Sequence, residues 1–138
     1  MPRSITLSIL ACLLVLACVP IKNSDRSRVA IPDASSLVGE YSVSGWNLDH
    51  KRYKGHCSVS QNPGAPKQAV YIHWVIGNSQ WFGHGVVNDK GKLAVNFSGG
   101  FAGAGEALYS AYSDGKIRGW WSQDGQKKRA SEYWTRLE

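Results

Sequence analysis

Short runs in which apolar and polar residues alternate, separated by glycine-containing turns, are the feature that most constrains this fold. Tyr41 and Val43 alternate with serines, and Tyr53 begins a second alternating run that ends at Val59. Six further runs cover residues 68–76, 80–88, 92–98, 106–113, 116–122 and 131–137. Alternation with a period of two is typical of strands with one buried face. The sequence therefore predicts eight strands.

Tight-turn residues lie in the breaks between these runs: Gly77-Asn78, Asp89-Lys90-Gly91, Asp114-Gly115 and Asp124-Gly125. Such residues favour two- or three-residue hairpin loops. Eight short antiparallel strands joined by hairpins predict an all-β, up-and-down antiparallel barrel, with a β-sandwich as the alternative. The interior of an eight-stranded barrel is wide enough for side chains or for one small ligand.

A two-residue turn at Asn78-Ser79 would fix the register of one predicted hairpin. This turn places Trp74 opposite Gly83 and His73 opposite His84. A large aromatic side chain over a strand glycine stabilises a sheet. We therefore expect Trp74 to face the core, in a row with the inward-facing side chains of Ile72 and Ile76.

The N-terminus has the pattern of an export signal. Arg3 precedes a mostly apolar run from Ile5 to Ala17, which is long enough for a signal peptide and too short for a membrane-spanning helix. Val15-Leu16-Ala17-Cys18 resembles the bacterial lipoprotein signal, which implies palmitate-type diacylation at Cys18 and a stable membrane anchor. A plain cleaved signal, leaving a periplasmic or secreted protein, is the alternative.

Three segments follow from this interpretation: a signal peptide at 1–17, a lipidated Cys18 with a flexible tether at 18–36, and one domain at 37–138. Val19 after the lipidation cysteine favours the outer membrane of the cell envelope, by resemblance to Gram-negative lipoproteins. Cys12 would be removed with the signal. Cys57 is then left without a disulfide partner, and we expect it to be a small buried hydrophobic residue.

Two constellations of polar residues could bind a partner. If His73 and His84 are cross-strand neighbours, they form a weak candidate metal pair without a fixed third ligand. Lys51, Arg52 and Lys54 lie in the first hairpin loop or just after it, and the last hairpin loop carries Lys127, Lys128 and Arg129. Closure of an eight-stranded up-and-down barrel brings both hairpins to the same end. We call the six basic residues of these hairpins the basic rim. Trp81 and Phe101 belong to the same end.

The sequence of the domain resembles a family of small secreted proteobacterial proteins often labelled fibronectin-binding proteins. The resemblance rests on residues 39–47, Tyr53-Lys54-Gly55, residues 74–77, Gly83-His84-Gly85, residues 114–121 and Glu132. It departs at residues 48–50, where the family favours Pro-Asp-Gly. These are mostly turn glycines and aromatic residues, so the resemblance implies a shared fold and assigns no catalytic residue.

Several function classes are not expected from this chain. The glycine-rich residues 99–105 lack the lysine of a phosphate-binding loop, and no serine lies in a nucleophile-elbow pattern. An exported protein is not expected to meet nucleic acid. The sequence thus predicts a non-enzymatic protein without cofactors.

The net charge of +6 suits an anionic partner at the basic rim, such as an acidic glycan, a lipid headgroup or an acidic protein. Two alternatives remain open. One is a calycin-like carrier of a small apolar ligand, which requires an aromatic-lined cavity rather than an interior filled by Trp74, Trp121 and Tyr41. The other is a periplasmic hydrolase inhibitor.

Overall fold

A computed structural model describes residues 27–100 and 103–138. Its strands are β1 (Arg28–Val29), β2 (Gly39–Trp46), β3 (Arg52–Ser60), β4 (Ala69–Ile76), β5 (Ser79–Val87), β6 (Leu93–Gly99), β7 (Gly103–Tyr112), β8 (Ile117–Gln123) and β9 (Ala130–Arg136). A short 3₁₀ helix, η1 (Ala34–Leu37), precedes β2. No helix formed by the described residues is long and apolar enough to cross a membrane.

Strands β2 to β9 form a closed antiparallel barrel in which each strand pairs with its sequence neighbours and β2 pairs with β9. This confirms the predicted eight-stranded barrel. The connections β2–β3, β4–β5, β6–β7 and β8–β9 lie at one end, which we call the mouth. The other three connections lie at the opposite end, which we call the closed end.

The segment before β2 packs across the closed end of the barrel. Ile31, Ala34 and Leu37 are buried in the core, and the backbone N–H of Ile31 donates to the carbonyl of Gly91 at 3.0 Å. Strand β1 adds a ninth strand by pairing with β7. The described part of the predicted tether, residues 27–36, therefore packs against the barrel, because its apolar residues Ile31 and Ala34 cover the closed end.

The register of β4 and β5 corrects one expectation. Ile76 pairs with Ser79, so the two turn residues are Gly77 and Asn78 rather than Asn78 and Ser79. Gly77 adopts a φ of +59°, which suits glycine at the first position of a two-residue hairpin turn. Trp74 consequently lies opposite Trp81 instead of Gly83.

A register shift of two residues leaves the inward faces unchanged. Trp74 and Ile72 are buried as expected, and Ile76 is half-buried against the core. The Trp74 ring still covers Gly83, where an added Cβ would come within 2.8 Å of it. The lower half of the barrel is filled by side chains that include Tyr41 and Trp134, whose ring centres are 5.5 Å apart.

Cys57 lies inside the barrel with 1% of its surface exposed, which confirms the expectation of a buried thiol. Desolvation raises the pKa of this thiol, and the negative charges of Glu132 and Glu40 raise it further.

We expect Cys57 to resist iodoacetamide at pH 8 in the folded protein, since both burial and the raised pKa keep it from forming an accessible thiolate. Alkylation followed by peptide mass mapping measures labelling of this residue alone. Labelling should reach completion once the chain is unfolded in guanidinium chloride. Rapid labelling of Cys57 without denaturant would contradict the burial described above.

Candidate functional site

The upper half of the barrel contains a cavity of about 380 Å³. Its walls are mostly aromatic, formed by Tyr53, Trp74, Trp81, Phe97, Tyr109 and Trp121. The remaining lining residues are Asn47, Leu48, Asp49, Ile76, Gln123 and Glu132. Asn47 and Asp49 belong to the β2–β3 loop and are exposed, so the cavity opens at the mouth. Its volume lies in the range of small-molecule pockets, roughly 300–1,000 Å³.

Glu132 is the buried polar residue of this cavity, with 5% of its surface exposed. Its Oε1 accepts hydrogen bonds from Trp134 Nε1 at 2.6 Å, Tyr109 Oη at 2.8 Å and Trp74 Nε1 at 3.1 Å. Its Oε2 accepts one from Tyr53 Oη at 2.5 Å. All four neighbours donate, which matches a carboxylate that can only accept.

Two glycines explain how both tyrosines reach Glu132. Glu132 on β9 pairs with Gly45 on β2 and with Gly119 on β8. Each glycine also pairs with a tyrosine on the strand at its other edge. Gly45 pairs with Tyr53 of β3, and Gly119 pairs with Tyr109 of β7. An added Cβ would meet Tyr53 Oη at 2.4 Å on Gly45 and Tyr109 Cδ1 at 2.6 Å on Gly119. The missing side chains thus allow each ring to cross a strand and meet the carboxylate.

The environment of Glu132 keeps both tyrosine hydroxyls protonated. Burial raises the pKa of Tyr53 and of Tyr109 well above the usual range, and the neighbouring Glu132 charge raises both further. A hydroxyl that remains protonated remains a hydrogen-bond donor. The two tyrosines therefore act as fixed donors to the carboxylate.

The Trp121 indole presents an unused donor at the cavity wall. Its Nε1 is buried and makes no hydrogen bond of acceptable geometry with the described residues. It lies near enough to the Tyr53 hydroxyl to lower that group's pKa slightly, against the larger effect of burial. A buried N–H without a well-aligned acceptor is costly, so this indole is a locally unfavourable part of the cavity wall.

The basic rim lies around the mouth, where pairing of β2 with β9 brings its two halves together. All six of its residues are exposed. Arg52 stacks on Trp46 with its guanidinium carbon 4.6 Å from the ring centre, and Arg129 stacks on Trp120 at 3.7 Å. Both tryptophans are on the outer face of the barrel, because their strand neighbours Gly45 and Trp121 face inward.

The aromatic part of the rim differs from expectation. Trp81 is half-buried and lines the cavity, so its ring contributes to the inner wall rather than to an exposed rim. Phe101 lies outside the described residues, as does the expected lipidation site Cys18.

The expected opposition of His73 and His84 is wrong. The observed register pairs His73 with Phe82, and their rings stack at 4.6 Å with an interplanar angle of 3°. His84 pairs with Tyr71, and the Nε2 of His73 is 2.8 Å from Gln80 Oε1. Across 27–100 and 103–138, no three His, Cys, Asp or Glu side chains are grouped so as to hold a metal ion.

Sequence reasoning missed the role of Glu132, which it named only as part of the family resemblance. Glu132 alternates in β9 with the buried residues Ala130 and Trp134, so it occupies an inward-facing position. A charged residue at an apolar period-two position was the available signal.

We expect Glu132→Leu to lower the free energy of unfolding by at least about 3 kcal/mol, because it leaves four buried donors without their acceptor and each such loss costs about 1–3 kcal/mol. Urea unfolding followed by tryptophan fluorescence measures the change. Glu106→Leu is the matched control, since Glu106 is exposed on β7 and its replacement should change stability by about 0.5 kcal/mol or less. Equal effects of the two substitutions would contradict the role given to Glu132.

Comparisons with known proteins add structural neighbours only. No family model and no curated protein matches this sequence. The redesigned β-barrel b11L5F_LGL has a TM-score of 0.66 at 13% identity, and the match covers 81% of this chain and 100% of that one. The redesigned β-barrel mFAP0, bound to DFHBI, has a TM-score of 0.55 at 15% identity over 72% of this chain and 98% of that one. At these identities the likeness shows the fold: the chain is an eight-stranded β-barrel similar to designed barrels.

Proposed function

We propose that this protein binds a small, largely apolar molecule in the upper half of its barrel, and that it does so without catalysis. The observation that carries the proposal is the aromatic cavity of about 380 Å³ that opens at the mouth. Dispersion and burial of apolar surface against its rings would supply most of the affinity. Glu132 is a polar residue of the lining that could orient a ligand.

One further observation supports a small-molecule ligand. The designed barrel of similar fold that is bound to DFHBI has a TM-score of 0.55 to this chain, which supports the view that a barrel of this shape can hold a small ligand.

The cellular setting proposed from the sequence is an envelope protein anchored through diacylated Cys18. The N-terminal segment meets the barrel at the closed end, through Ile31 and Leu37. An anchor attached to that segment would leave the mouth pointing away from the membrane. This placement suits a cavity that exchanges its ligand with the solvent.

Ile76→Trp should abolish binding of neutral aromatic probes or weaken it at least about tenfold, because the larger ring would occupy cavity volume beside Ile76. Calorimetric titration with 2-phenylethanol, indole and 2-naphthol measures the affinity. Val75→Trp is the matched control, since Val75 is the exposed neighbour on the outer face of β4. Absence of binding by all three probes to the unsubstituted protein, or equal affinities in the two variants, would contradict the proposal.

A second candidate function rests on the basic rim. Its six exposed cationic residues surround one side of the mouth. The Trp46–Arg52 and Trp120–Arg129 stacks hold two of the charges against the outer wall. We propose that this surface binds an acidic glycan, whose repeated anionic groups could contact several cations together.

Reversing Lys127, Lys128 and Arg129 to Glu should lower the salt concentration at which the protein elutes from immobilised heparin. The matched control reverses Lys67, Lys90 and Lys116, which belong to connections at the closed end and change the net charge equally. A local rim interaction predicts a much larger shift for the first triple variant, because exposed charges are screened over about 8–10 Å. Equal shifts would mean that only net charge matters.

A further inference from the structure

The charges that line the cavity are opposite in sign to those around its mouth. Among the residues that the structure describes, the lining includes the acidic Glu132 and Asp49 and no lysine, arginine or histidine. The chain as a whole carries a net charge of +6. The cationic side chains of the described residues therefore lie outside the cavity, and the charged residues of its lining are acidic.

Glu132 has no cationic partner among the described residues. The ion pairs within these residues are Lys51–Asp49 at 3.9 Å and Arg118–Asp114 at 2.6 Å. A buried carboxylate without a counter-ion is compensated here by hydrogen bonds alone. A cation entering the cavity would gain an attraction that the low dielectric of the barrel interior strengthens.

The two carboxylate oxygens of Glu132 are not equally occupied. Oε1 accepts three hydrogen bonds and Oε2 accepts one, from Tyr53. A carboxylate offers about four acceptor sites shared between its oxygens. Oε2 therefore retains acceptor capacity, and it belongs to a residue that lines the cavity.

The aromatic walls add a second attraction for positive charge. The faces of Trp, Tyr and Phe rings carry negative electrostatic potential, and tryptophan attracts cations most strongly. Trp74, Trp81 and Trp121 all line the cavity. An ammonium group near Glu132 would be enclosed by these rings, and an apolar tail would pack against the rest of the wall.

We propose that the cavity binds small organic cations, namely an ammonium group joined to an aromatic or aliphatic tail, with the ammonium donating to Oε2 of Glu132. This inference rests on the proposed function, since it requires that the cavity accept small molecules, and it adds the charge of the ligand. Asp49 at the mouth, which is exposed and 3.9 Å from the Lys51 ammonium, contributes a weaker negative charge along the path inward. The stacked Arg52 and Arg129 lie on the outer face of the barrel and not in the cavity lining.

Three probes of nearly equal shape separate charge from size: protonated 2-phenylethylamine, 2-phenylethanol and 3-phenylpropionate. Titration calorimetry of the purified protein at pH 7 and constant ionic strength should show the ammonium binding at least about tenfold more tightly than the alcohol, because hydrogen bonds to a charged group are the stronger ones. The carboxylate probe should bind most weakly. This comparison needs no variant.

Glu132→Gln should lower the ratio of ammonium to alcohol affinity from at least about tenfold to about one, because it removes the charge of the side chain and nearly keeps its shape. Glu106→Gln is the matched control and should leave this ratio unchanged. If Glu132→Gln fails to fold by circular dichroism, Asp49→Asn is the second variant. It alters an exposed loop residue and should weaken only the ammonium probe, by about twofold to threefold.

The outcomes separate this inference from the proposed function. Equal affinities for the ammonium and the alcohol, or tightest binding of the carboxylate, would overturn the inference and leave a small-molecule cavity in place. No binding by any of the three probes, together with none by indole or 2-naphthol, would overturn both. Tight ammonium binding that survives every acidic substitution in the cavity would also overturn the inference.

Discussion

One buried carboxylate determines how the inside of this barrel is arranged. Burying Glu132 alone would be strongly unfavourable, so the fold depends on the hydrogen bonds that compensate it. The four donors come from β3, β4, β7 and β9, and Tyr53 is 79 residues from Glu132 in the sequence. Each donor belongs to an aromatic ring, and three of these rings also line the cavity. The network that stabilises the interior is therefore also the wall of the site.

The distribution of glycines explains why half of the barrel is hollow. An eight-stranded barrel has room for its own side chains or for one small ligand. Toward the closed end, inward positions carry large residues such as Tyr41 and Trp134. Toward the mouth, the inward positions of β2, β7 and β8 include Gly45, Gly105 and Gly119, which supply no side chain. Tyrosine and phenylalanine rings pack over these glycines. The space that the missing side chains leave open is the cavity.

Local patterns were sufficient to predict the strands and the barrel, because alternation and hairpin residues act over a few positions. They did not determine the β4–β5 register, since Gly77-Asn78-Ser79 allows two adjacent turns and only the left-handed backbone of Gly77 selects one. They also did not reveal the site. The donors to Glu132 lie on four strands, and local patterns do not specify which inward side chains meet once the barrel has closed.

Cationic residues at the rim and acidic residues in the cavity give the barrel two surfaces that favour ligands of opposite charge. Stacking of Arg52 on Trp46 and of Arg129 on Trp120 fixes two rim cations on the outer wall, where water screens them. Inside, Glu132 is buried among aromatic rings and acts at short range in a lower dielectric. An anionic polymer at the rim and a cationic ligand in the cavity would therefore bind through different residues. Competition between them would come from blocking of the mouth rather than from a shared contact.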